Sequence, residues 1–238
     1  VNDSRIALAL DLPSYDQARA LAHRVAGEVG MLKVGLELFV EAGPSAVQIG
    51  RDVELPVFLD LKLHDIPATV ERAVARASAL GVKMITVHAA AGSATLARAV
   101  ERARKEGAGL QVVAVTVLTS LDAGDMAALG ISEGLGMYVE RLARLAWNEG
   151  VRAFVCSAQE AGLLRAAFGN GVTLITPGVR AAAEIVGDDQ KRTMTAGQAI
   201  ANGATWVVVG RPIRDAVDPV VAARAINGEV ADARGPRV

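Results

Sequence analysis

The sequence predicts a single α/β domain built as a closed (β/α)8 TIM barrel. Two observations carry this. Short apolar runs alternate with segments of helical period, an order that gives a parallel sheet covered by helices. The alternation repeats eight times within 238 residues. Units of roughly 25 to 30 residues favour the closed barrel over an open, doubly wound sheet. Neither a linker nor a sequence repeat divides the chain, so residues 1–238 are read as one domain.

In order, Arg5 to Leu10 is an apolar run ending in Asp11. Tyr15 to Val29 reads as a helix, with Ala18, Leu21, Ala22 and Val25 on one face, Ser14 as N-cap and Gly30 as the stop. Met31 to Gly35 is the second strand, with Lys33 inside it, and Leu36 to Asp52 is a helix broken near Gly43-Pro44. Pro56 to Leu61 is the third strand and Asp65 to Leu80 the helix after it, ended by Gly81. Lys83 to Val87 precedes His88, and Ser93 to Lys105 is an alanine-rich helix. Leu110 to Leu118 is the fifth strand, followed by Thr119-Ser120, a polar stretch with one short helix, and a stronger helix over Gly136 to Asn148. Arg152 to Cys156, Val172 to Thr176 and Thr205 to Val209 complete the strands. Gln159 to Phe168 and Ala196 to Asn202 are helices, and Ala181 to Thr193 reads as a loop. Ile213 to Ile226 is the closing helix, and the residues from Asn227 are expected to be a peripheral, frayed tail.

Composition narrows the function. With 52% hydrophobic and 21% charged residues, disorder is excluded and a large core is possible. Aromatics are only 3%, so that core is built from Ala, Val, Leu and Ile. The 25 basic and 26 acidic residues form no run, which argues against a nucleic-acid or anionic-membrane surface. Charges interrupt every apolar stretch, so no membrane span is expected. The single cysteine, Cys156, allows no intrachain disulfide and reads as a core thiol. The polar Val1 to Ser4 does not resemble a signal peptide. A cytoplasmic location is expected.

Barrels of this kind carry their sites at the C-terminal ends of the strands. Here those ends read Asp11, Lys33, Asp60/Lys62, His88, Thr119/Ser120, Ser157, Pro177 and Gly210/Arg211. The densest stretch is Asp60-Leu61-Lys62-Leu63-His64-Asp65-Ile66-Pro67. Asp60 and Lys62, two apart on an extended strand, point to one face, and the flanking leucines to the other. Adjacent strands lie about 4.8 Å apart, so Asp11, Lys33, Asp60 and Lys62 can meet at one mouth. Gly210 permits close backbone approach to a ligand, and the helix start after it and Arg211 suit a phosphate. A metal site is disfavoured: only His64 and His88 lie near the acids, and Lys33 and Lys62 repel a cation. His23 reads as a surface residue of the first helix. No dinucleotide fingerprint or P-loop is present.

The run Asp60-Leu61-Lys62-Leu63-His64-Asp65-Ile66-Pro67, with Thr69 beyond it, resembles the motif of the orotidine 5′-phosphate decarboxylases. The resemblance, closest to the bacterial form, extends along the chain. It takes in Leu8 to Asp11, Lys33 to Gly35, Val87 to Ala89, Val117 to Ser120, Thr176 to Arg180, Asp189 to Arg192 and Val209 to Arg211. One departure is the alanine-rich Ala181 to Val186. The resemblance implies conversion of orotidine 5′-phosphate to uridine 5′-phosphate (UMP) and carbon dioxide, the last step of de novo UMP synthesis, with neither metal nor cofactor. It implies a charged array of Lys33, Asp60, Lys62 and Asp65, with Lys62 the proton donor. Asp11 and Lys33 would hold the ribose, Thr119 and Ser120 would face the pyrimidine, and Pro177 would line the site. Arg180, Gln190, Gly210 and Arg211 would hold the phosphate or a lid over it. Asp65, Ile66 and Thr69 would come from the second subunit of a homodimer. Magnesium-dependent decarboxylation of a keto-sugar phosphate and histidine-metal epimerisation are the nearest alternatives. A barrel that binds phosphate without turnover is a third. Ile66-Pro67 and Asp189-Gln190 favour the nucleotide substrate.

Overall fold

The computed structural model describes residues 3–179 and 194–234. Eight parallel strands form a closed barrel in sequence order, sealed where β1 (Ile6–Ala9) pairs with β8 (Trp206–Val209). Between them lie β2 (Met31–Val34), β3 (Val57–Leu63), β4 (Met84–His88), β5 (Gln111–Val115), β6 (Ala153–Val155) and β7 (Thr173–Thr176). The connecting helices, in chain order, are α1 (Tyr15–Val25), α2 (Leu36–Ala42), α3 (Ser45–Asp52), α4 (Pro67–Ala79), α5 (Ser93–Glu106) and α6 (Ala123–Ala128). They continue with α7 (Leu135–Asn148), α8 (Ala158–Phe168), α9 (Ala196–Ala201), α10 (Arg211–Arg214) and α11 (Pro219–Arg234).

Local chemistry explains most boundaries. Ser14 caps α1 by accepting from the Gln17 amide at 3.3 Å, and the buried face of that helix is Ala18, Leu21, Ala22 and Val25. The break near Gly43-Pro44 separates α2 from α3, and Gly43 takes φ +56°, a conformation glycine adopts freely. α4 starts at Pro67 rather than Asp65, because proline forces Ile66 into extended backbone (ψ 153°).

The largest difference from expectation is at the C-terminus. One helix over Ile213–Ile226 is replaced by two, since Pro219 has no N–H to continue a helix but suits the start of one. Asp218 supports that start by accepting from the Val220 amide at 2.9 Å. The residues after Ile226, expected to fray, are helical to Arg234. Asn227 accepts from Ser4 Oγ at 2.8 Å and donates to the Glu28 carbonyl at 2.7 Å, and Val230 is buried. These contacts tie α11 to the start of β1.

The core has two layers. Outside the strands, Leu8, Leu32, Leu59, Ile85, Phe154 and Leu174 pack against the helices, with Cys156 among them. Inside lies a smaller cluster of Ala7, Ala9, Met31, Phe58, Met84, Val113, Ala153, Ile175 and Val208, to which every strand contributes. Side chains alternate along a strand, so the residue two beyond each inner one also points inward, one layer nearer the C-terminal mouth. That arithmetic selects Lys33 from Met31, Asp60 from Phe58, Thr86 from Met84 and Gly210 from Val208.

Candidate active site

The mouth of the barrel holds a pocket of about 510 Å³. Asp11, Lys33, Asp60 and Lys62 line one wall. Thr119 and Ser120 line another, and Pro177, Gly178, Gly210, Arg211 and Arg214 lie on the side of the last two strands. Nine of the residues predicted from the sequence therefore share one cavity: Asp11, Lys33, Asp60, Lys62, Thr119, Ser120, Pro177, Gly210 and Arg211. Arg180 and Gln190, and the stretch 181–193 expected to be a loop, lie outside the described residues.

The four charged residues form a continuous alternating chain. Lys33 Nζ lies 2.9 Å from Asp11 Oδ1 and 3.9 Å from Asp60 Oδ2, and Lys62 Nζ lies 2.8 Å from the same Asp60 oxygen. Lys33 and Asp60 are buried, so each needs an opposite charge to offset the loss of hydration. The arrangement supplies two partners to each. Lys62 is less buried and faces the cavity.

Asp60 and Lys62 meet as expected, but not on a regular strand. The register of β3 against β4 shifts between Leu59 and Leu63, and Lys62 has φ +50°. This left-handed conformation is rare for a side chain of that size and marks local strain. Its amide donates to Thr86 Oγ1 at 2.7 Å in place of a strand–strand bond. The same hydroxyl donates to Asp60 Oδ1 at 3.1 Å. Such irregularities re-aim a side chain.

Asp65, Ile66 and Thr69 are not in this pocket. Asp65 is exposed and its carboxylate accepts from the Ile66 amide at 2.6 Å, while Ile66 is 66% exposed. Among the described residues of one chain, the carboxylate beside Lys62 is that of Asp60. His88, at the end of β4, packs against His64 with ring centroids 5.2 Å apart. Burial pushes the His88 imidazole below its ordinary range, and His64 and Lys62 push it the same way. Among the described residues no group of three or more His, Cys, Asp or Glu converges to hold a metal ion. Ser157, also at a strand end, is buried outside the cavity lining.

Three functional positions escaped the sequence reading. Thr86 was hidden inside an apolar run, and only the inward parity from Met84 reveals it. Arg214 donates to the Asp11 carbonyl at 2.8 Å and lines the pocket. Its signal was its place one helical turn after Arg211. At Gly35 a Cβ would come within 2.9 Å of both Asp11 Oδ1 and Lys33 Nζ. The absence of a side chain there leaves room for that ion pair.

Residues 4–226 match the Orotidine 5′-phosphate decarboxylase / HUMPS family. The chain belongs to that family. A relative from Anaeromyxobacter sp. (strain K), named orotidine 5′-phosphate decarboxylase, is 51% identical over 93% of this chain and 96% of its own. Another of that name, from Chromohalobacter salexigens, is 44% identical over 97% of each. The crystal structure of orotidine 5′-phosphate decarboxylase from Lactobacillus acidophilus superposes with a TM-score of 0.78 at 31% identity, covering 95% of this chain and 99% of that one. The TIM barrel predicted from the sequence is thus the fold of this decarboxylase family as well as of the chain itself.

Proposed function

We propose that the protein decarboxylates orotidine 5′-phosphate to UMP, with Lys62 stabilising and then protonating the carbanion. The observation that carries this is the alternating run Asp11–Lys33–Asp60–Lys62 on one wall of a pocket that also presents Gly210 and Arg211 after the last strand. The pocket thus offers a charged array after β1 to β3 for the reacting carboxylate and a cation after β8 for a phosphate.

In this reaction the bond from the ring carbon to its carboxylate breaks, and the electron pair stays on that carbon. The ring offers no conjugated sink, so a fixed positive charge beside the carbon lowers the barrier. The Lys62 ammonium supplies that charge, then gives its proton to the carbon as the new C–H bond forms. An arginine holds its proton too tightly for this role. Asp60, 2.8 Å away, holds the Lys62 ammonium in position. Asp60 also faces the substrate carboxylate. Like charges at about 4 Å repel by about 4 kcal/mol at an effective dielectric near 20, and departure of carbon dioxide relieves this. Carbanion stabilisation is the larger contribution, since it acts on the transition state itself. Lys33 and Asp11 hold the ribose, Thr119 and Ser120 face the pyrimidine, and Arg211 with Gly210 binds the phosphate. Arg180 and Gln190 complete the phosphate end. Phosphate binding, remote from the bond that breaks, supplies energy for ordering the array. No metal or cofactor takes part.

In a homodimer, Asp65, Ile66 and Thr69 of each subunit complete the other's site. Their position outside their own pocket and the exposure of Ile66 support this. The deciding experiment is an absorbance assay with orotidine 5′-phosphate, run with and without a chelator. Turnover unchanged by the chelator is expected. Loss of turnover on chelation would favour metal-dependent chemistry instead. Lys62→Ala is expected to abolish turnover while far-UV circular dichroism stays native. A near-normal kcat in that variant would remove Lys62 from the proton-donor role.

A further inference from the structure

We propose that Thr86 is a positioning residue for the decarboxylation, setting the orientation of Asp60 and the backbone of Lys62 through one hydroxyl. The inference rests on the charged-array reading above and goes beyond it to a residue that lies outside the pocket lining.

Thr86 is fully buried on β4, two positions beyond Met84 of the inner cluster. A threonine hydroxyl has one proton to give and lone pairs to accept with. Both capacities are used on the array: Oγ1 donates to Asp60 Oδ1 at 3.1 Å and accepts from the Lys62 amide at 2.7 Å. The two oxygens of Asp60 are thereby given separate tasks. Oδ1 is held by Thr86, while Oδ2 faces Lys62 at 2.8 Å and Lys33 at 3.9 Å. Without the hydroxyl, the carboxylate is free to turn about its last torsion and share both oxygens with the lysines. The Lys62 amide meanwhile loses its acceptor at a point where φ is +50° and the strand register is irregular. A strained backbone of this kind persists only when its surroundings hold it. Thr86 is the side chain seen to hold it.

The test uses Thr86→Val, which keeps the shape and removes the hydroxyl, and Thr86→Ser, which restores it. Wild-type turnover of orotidine 5′-phosphate is measured first; a wild type without turnover would sink the decarboxylase reading and this inference with it. With an active wild type, Thr86→Val is expected to lower kcat about tenfold, the effect of one unsatisfied buried polar group. Affinity for UMP, which lacks the carboxylate, is expected to stay within about twofold, a split that general unfolding does not produce. Thr86→Ser is expected to recover most of the lost kcat. Rates are referred to the concentration of UMP-binding sites. If Thr86→Val binds no UMP, Thr86→Ala and Thr86→Ser are compared on the same basis. A kcat within about twofold of wild type in the hydroxyl-free variant, or equal losses in the hydroxyl-free and serine variants, would overturn the proposal.

Discussion

Gly35 illustrates how a residue without a side chain shapes this site. A methyl group there would meet Asp11 Oδ1 and Lys33 Nζ, both at 2.9 Å. Those atoms are the movable tips of side chains, so the chain can fold around an added alanine, but only by displacing the ion pair. Gly35→Ala is therefore expected to keep a melting temperature near that of the wild type while kcat/KM falls by about tenfold or more, the price of misplacing a positioned group. An unchanged kcat/KM would show that the Asp11–Lys33 pair tolerates displacement. Arg211 tests the proposed phosphate site of the pocket. Its contribution is assigned to binding a phosphate remote from the chemistry, so Arg211→Ala is expected mainly to raise KM and weaken UMP binding. Titration calorimetry showing wild-type affinity for UMP would place the phosphate elsewhere.

The β3–β4 pair is where regular structure yields to chemistry. Seven residues of β3 begin as a buried apolar strand and end in a shifted register, with Lys62 in left-handed backbone. β4 supplies Thr86 to Asp60 and Lys62, and then His88 to pack on His64. His88 also gives this region a pH dependence with a definite sign. Its imidazole titrates below the ordinary value of 6.5 in the folded chain, first because it is buried and then because His64 and Lys62 face it, with Asp60 acting in the opposite sense. The unfolded chain takes up that proton near 6.5, before the folded one does. Stability from this group is thus complete above that pH and is lost as pH falls below it. The melting temperature is expected to drop between about pH 7.5 and 5.5, and by less in His88→Asn than in the wild type. Equal drops would assign the effect to other groups.

The barrel as a whole places its charged wall and its arginine-bearing wall at one mouth because all strands run parallel and their C-terminal ends coincide. It does not bring Asp65 into that mouth, and this makes assembly a testable part of the proposal. If Asp65 acts across a dimer, Lys62→Ala and Asp65→Ala chains are each inactive alone. A mixed dimer then has one site with both defects and one with none. Equal amounts, allowed to exchange subunits, are expected to regain about a quarter of wild-type activity by random pairing in a twofold-symmetric dimer. No recovery, with exchange confirmed by mass spectrometry, would place Asp65 outside the partner's site. No helix among the described residues is long and apolar enough to cross a membrane.

From the order of residues alone, the eight-unit alternation, the polar strand ends and the identity of Asp11, Lys33, Asp60 and Lys62 could be read. Each of these is a local pattern of period, punctuation or side-chain type. Four features needed the folded chain: the hydroxyl of Thr86 on Asp60, the space left by Gly35, the clamp of Arg214 on the Asp11 carbonyl, and the anchoring of Asn227 against Ser4 and Glu28. Each joins segments brought together only by barrel closure or helix docking, up to 223 positions apart. The last helix was cut short for the same reason, since the buried surface that keeps residues 227–234 helical comes from elsewhere in the chain. The turn of Lys62 into left-handed backbone belongs here too: sequence period assumes a regular strand, whereas the Thr86 contact across the ladder accompanies its departure from one.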